Sequence, residues 1–138
     1  MKLAATVARI ILGVIFLAAG VAGFFITPPS MPGLAGEFTA VLYSSHFMQF
    51  ISAAQFVMGA LLLVNRFVPV ALIMLAAFIY NSFAFHATVV PAALFGPVIV
   101  TALWLLVALP YRTLFAPIFA AQPLTHDNVI AIERLSAP

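Results

Sequence analysis

Four apolar stretches, each long enough to cross a bilayer, take up most of this chain. They run from about Leu3 to Ile26, Phe47 to Val64, Phe67 to Val90 and Ala92 to Leu109. A helix of roughly 17–25 apolar residues matches a hydrocarbon layer about 30 Å thick. Inside that layer only a helix or a closed barrel satisfies its own backbone. The spacing therefore predicts an all-α fold, an integral membrane four-helix bundle running up-down-up-down. Composition agrees: 66% of the 138 residues are hydrophobic and 6% are charged, against about 25% charged in soluble domains. Mean hydropathy is +1.26.

The length leaves room for one membrane domain, residues 1–116, followed by a short polar tail, residues 117–138, expected in the cytoplasm. Met1-Lys2 and the small residues Ala18 to Gly23 resemble a signal peptide. The apolar run, however, continues through Phe24-Phe25-Ile26 to the Thr27-Pro28-Pro29 break, so a retained first span is expected. The net charge of +2 comes from scattered residues and offers nucleic acid no footprint. The absence of cysteine excludes disulfides, thiol relays, iron–sulfur clusters and thiolate-bound zinc within the chain.

The few charges orient the bundle. Lys2 and Arg9 begin span one, Arg66 sits in the tight connection between spans two and three, and Arg112 closes span four. With four crossings all of these share one side, and the positive-inside rule puts both termini in the cytoplasm of a bacterial inner membrane. Arg9 reaches the interface by extending along its own apolar stem. The connection on the other side holds Pro28, Pro29, Pro32 and Glu37. Phe38, Val41 and Leu42 recur there at helical spacing, predicting a short interfacial helix from Glu37 to about Ser44. The short Pro91–Pro97 and Val64–Pro69 connections predict antiparallel neighbours for spans three and four and for spans two and three. In the tail, Asp127 is placed to cap a short helix over Val129 to Ile132.

Polar side chains inside a bilayer are the informative minority. On span two, Ser45, Gln49, Ser52, Gln55 and Gly59 line one helical face. On span three, Ser82 and His86 share a face, while Asn81 points about a third of a turn away, on the side of Thr88. One reading is a polar seam between spans two and three that holds a ligand headgroup. The other is that Ser, Gln and Asn join helices by hydrogen bonds while Gly and Ala let them approach. His46 and His86 fall at similar depth. They are weighed as haem ligands, as hydrogen-bond partners of a quinone or lipid headgroup, and as interfacial residues. Haem is the weakest of these, since no second ligand pair exists, and a solvated His126 is expected in the tail.

Spans two to four contain no Asp, Glu or Lys, so a carboxylate proton relay has no evident path. Metal-hydrolase spacing and a phosphate loop are missing, and a Ser–His pair would lack an acid to orient its base. No catalytic residue is assigned.

Several segments together resemble the DoxX-like family of small four-span membrane proteins. They are Ala8 to Gly20 with Gly23-Phe24-Phe25, Gly59 to Pro69 with its Arg66-Phe67-Val68-Pro69 turn, Asn81-Ser82-Phe83-Ala84-Phe85-His86, and Tyr111-Arg112. The resemblance, over about Ala8 to Pro117, implies a compact four-helix bundle. In some members it also implies association with respiratory or sulfur-linked quinone oxidoreductases. It implies a Glu in span two with a Lys one turn before; this chain has Gln55 and Ser52 there. Two functions follow as expectations. The first is a non-catalytic accessory or assembly subunit of a larger, electron-handling membrane complex, in contact with lipids and with other membrane subunits or itself. The alternative is a redox-linked module binding quinone near His86, Asn81, Ser82 and Gln55, with Gln49, Ser52 and His46 as further candidates.

Overall fold

The computed structural model describes residues 2–119, all in helices and short connections. The first span is α1, Lys2–Phe25, which ends where Thr27-Pro28-Pro29 removes backbone donors. Next comes α2, Gly33–Ser44, and then α3, Phe47–Leu63. The two meet at 85°, so α2 lies across the end of the bundle while α3 runs along it. A helix is thus present where a short one was expected, and it begins earlier, at Gly33. His46 makes the corner, with a left-handed φ of 60°.

A tight turn leads into α4, Val68–Thr88. Here Asn65, in the left-handed conformation, donates its N–H to Leu62 O at 3.3 Å, and Arg66 N–H bonds Leu61 O at 3.1 Å. This paired pattern satisfies two of the carbonyls that a helix end leaves open. Arg9 donates to the Leu62 carbonyl as well. Its guanidinium therefore lies against the negative end of the α3 dipole.

Past a 3₁₀ turn at Pro91–Ala93, α5 spans Phe95–Ala108. Pro110 interrupts it, and the chain continues through a 3₁₀ turn at Leu109–Tyr111, α6 (Arg112–Phe115) and a last turn at Ala116–Phe119. The expectations for His126, Asp127 and the remainder of the tail lie outside the described residues.

Helices α1, α3, α4 and α5 form one bundle; α1, α4 and the stretch Pro91–Phe119 are each long and apolar enough to cross a membrane, and α3 is a fourth candidate if it and the bent α2 make one span. Leu12, Met58, Leu62, Leu72, Leu75 and Val107 are its largest enclosed apolar side chains. Phe16 and Phe78 meet edge to face with centroids 5.3 Å apart, joining α1 to α4. Trp104 on α5 donates its indole N–H to Leu72 O on α4 at 2.9 Å.

One expectation is corrected. The small and polar face of α3 does not form a seam with α4; α3 packs most extensively against α1. Gly13 lies opposite Gly59, and Gly20 lies opposite Ser52 and Phe56, which makes the two helices antiparallel. A methyl group built on Gly20 would come within 2.8 Å of Phe56 Cα and of Ser52 O, so the backbones touch there. The inward residues of α4 are Val68, Ala71, Leu72, Leu75 and Ile79, with Phe78 packed against them. Without water inside the bilayer to drive association, this close van der Waals fit does much of the holding.

Candidate functional site

Ser52 and Gln55 are the two buried polar side chains among the described residues. Ser52 is 0% exposed and sits against Gly23 of α1, its hydroxyl donating to Met48 O at 2.8 Å. A serine hydroxyl bonded back into its own helix is satisfied without any ligand. Gln55 differs. It is 8% exposed, and its Oε1 is buried with no hydrogen-bond partner. An unmet buried acceptor costs about 1–3 kcal/mol, so this amide is the one interior group with an open valence.

The second polar pair lies near the far end of α4. His86 Nδ1 is 2.8 Å from Ser82 O and 3.5 Å from Ser82 Oγ. A carbonyl oxygen only accepts, so this bond needs the proton on Nδ1, and a neutral ring then presents Nε2 as an acceptor. The neighbouring Phe85 stacks on Phe38 of α2 with centroids 5.3 Å apart. Together with the Tyr43 hydroxyl donating to Ile26 O at 3.2 Å, this ties α2 to the ends of α1 and α4.

The remaining candidates are dispersed. Gln49 and His46 are exposed, and Ser45 bonds within the corner to Val41 O at 2.7 Å. Asn81 is also exposed, its amide donating to Ala77 O at 2.9 Å. Counted from the Val64–Phe67 turn, His86 lies about ten residues farther along the bundle than Gln55, roughly 15 Å at 1.5 Å per residue. No described hydrogen bond connects the two groups, or His46 with His86. Helical periodicity grouped Ser52, Gln55 and Gly59, which are all buried, but also placed on that face Ser45, which caps α2 before the corner, and the exposed Gln49.

Two features escaped the sequence reading. One is the α1–α3 contact, signalled by the equal seven-residue spacing of Gly13 and Gly20 and of Ser52 and Gly59. The other is a cleft lined by Lys2, Arg9, Asn65 and Tyr111, whose cations had served only to set topology.

Such a bundle, all-α, with three apolar helices able to cross a membrane and a fourth crossing if the bent α2–α3 pair is one span, defines a small multi-span membrane protein. A sequence model of the DoxX family matches residues 4–87, more than half of the chain, and the chain belongs to that family. The matched region spans α1 to the end of α4 and includes Ser52, Gln55, Ser82 and His86. No curated protein and no solved structure matches the chain significantly.

Proposed function

We propose that this DoxX-family protein is a non-catalytic accessory or assembly subunit of a larger membrane complex, one concerned with electron transfer. It resides in the bacterial inner membrane with both termini in the cytoplasm. The observation that carries this reading is the outward face of α4. Ala77, Asn81, Ala84 and Thr88 follow one another at helical spacing, and all are exposed. Tyr80 beside them is 75% exposed. Polar residues within a membrane span normally face the bundle interior or a partner. A row of small and hydrogen-bonding residues on an outer face is the pattern by which membrane helices associate. Asn81, about 20 Å along α4 from Val68 at 1.5 Å per residue, would otherwise hold an amide toward lipid.

Gentle extraction from native membranes, capture of the tagged chain and mass spectrometry of the eluate test this directly. A stoichiometric membrane partner is expected, and Asn81→Leu with Ala84→Leu should remove it while expression and unfolding temperature hold. Recovery of the wild-type chain alone, under conditions that preserve other complexes, would end the proposal.

The unmet acceptor on Gln55 favours a second reading, a quinol-binding module. A quinol hydroxyl is a donor suited to Oε1, and Nε2 of His86 is a second acceptor nearer the membrane surface. Organic extraction of purified protein should then release quinone, less of it from Gln55→Met.

A further inference from the structure

At the end of the bundle opposite α2, a cleft of about 280 Å³ opens between the start of α1 and the end of α5. Lys2, Thr6 and Arg9 line one side, Val107 and Tyr111 the other, and Asn65 of the α3–α4 turn closes it. The Thr6 hydroxyl is turned away, donating to Lys2 O at 3.0 Å. Arg9 is half-buried, and its hydrogen bond among the described residues goes to the neutral Leu62 carbonyl. A guanidinium carries five N–H donors in a planar fork, so most of that fork stays open. Glu37, the one acid among the described residues, lies on α2 at the other end, and no described ion pair involves Lys2 or Arg9. Among the described residues, two cations, an amide and a phenol thus converge without a counter-charge.

We propose that this cleft binds the phosphate of an anionic phospholipid headgroup in the leaflet surrounding the basic end. Basic pockets between membrane helices on the cytoplasmic side suit such headgroups, since the lipid supplies both the charge and the depth. The Arg9 fork matches a phosphodiester bidentately, and Lys2 adds a point charge. The volume is at the small end for a ligand pocket, which accommodates a headgroup and leaves the acyl chains outside. Leu3, Val7 and Ile10 on α1, with Leu106 and Leu109 beside them, are exposed apolar residues along which those chains can lie. Tyr111 sits where interfacial aromatics usually do. This site is separate from the α4 face and from Gln55, and it stands whether or not those readings hold.

The test uses the full chain in a neutral detergent, titrated with dioleoyl phosphatidylglycerol or dioleoyl phosphatidylcholine. It is followed by native mass spectrometry and by the unfolding midpoint. Phosphatidylglycerol should form a saturable one-lipid adduct and raise the midpoint, and phosphatidylcholine should do neither. Lys2→Gln should weaken the adduct about fivefold. Arg112→Gln, outside the cleft, should leave it unchanged and so separates a site from general surface charge. Because Arg9 also meets the end of α3, Arg9→Lys is the second variant; it keeps the charge, loses the fork and should weaken binding on its own. Equal binding of the two lipids would overturn the proposal, as would equal loss in Lys2→Gln and Arg112→Gln. If millimolar inorganic phosphate alone reproduced the whole stabilisation, the source would be a free anion and the lipid assignment would fall.

Discussion

Gly13 of α1 and Gly59 of α3 face each other so closely that Gly59 has no room for a side chain. A Cβ on Gly59 would stand 2.8 Å from Gly13 O, and one on Gly13 would stand 3.2 Å from Gly59 O. Around Gly59 the obstacles are all backbone atoms, Leu17 N at 2.3 Å foremost, which cannot swing aside, whereas Gly13 meets the Leu63 side chain first, at 2.9 Å. Gly59→Ala should therefore force the helices apart at a cost of about 1–3 kcal/mol. Gly96 on α5 has nothing within 4 Å of its would-be Cβ, so Gly96→Ala serves as the control. It should be neutral or stabilising by up to about 1 kcal/mol. Thermal unfolding in one detergent compares them, and equal midpoints would refute the close-approach account.

Trp104 bridges α5 to α4 through its hydrogen bond to the Leu72 carbonyl. Trp104→Phe keeps an aromatic ring but loses the N–H, and should cost about 0.5–1.5 kcal/mol. As the chain's one tryptophan, it also reports on the contact. Its emission should shift to the red when α4 and α5 separate, in step with loss of helix signal. A red shift that clearly precedes helix loss would mean that α5 detaches first.

Gln55 holds a buried acceptor without a donor. Gln55→Met replaces it with a flexible apolar side chain of similar length. The variant should unfold at the same or a higher temperature, because relieving an unmet acceptor offsets the lost packing. In a preparation carrying a ligand that donates to Oε1, the sign reverses and the variant is less stable. Comparing extracted with ligand-stripped protein distinguishes the two outcomes.

His46 sits at the α2–α3 corner with φ 60°, where a side chain is disfavoured by roughly 1–2 kcal/mol. His46→Gly should preserve or raise stability, and His46→Val should lower it by more than the glycine variant gains. If His46 instead served as a ligand, His46→Gly would abolish a bound group while leaving the fold intact. Absorbance of the purified variants and their unfolding midpoints measure both effects.

Helices and the breaks between them were legible because they depend on residues close in sequence. The prolines after Ile26, the Asn65 turn and the helical spacing through Phe38, Val41 and Leu42 each act over a turn or two. The candidate site was legible only as faces. Ser82 and His86, four residues apart, do meet, whereas the grouping of Gln55 with His86 and Asn81 required knowing relative depth and rotation. Asn81 shows the limit: periodicity placed it off the Ser82–His86 face but could not say that its own side looks outward.

What the sequence by itself determined is the set of apolar helices, their approximate ends and the placing of the cations near the same helix ends. Bilayer thickness and the need to satisfy each backbone within its own helix dictate these locally. Only the tertiary structure decided that α3 clasps α1 rather than its neighbour α4, and that Lys2, Arg9, Asn65 and Tyr111 enclose a common space. The physical reason is that such pairings depend on which surfaces fit. Gly13 and Gly59 are far apart along the chain, and nothing in either local pattern says that their missing side chains fill the same gap.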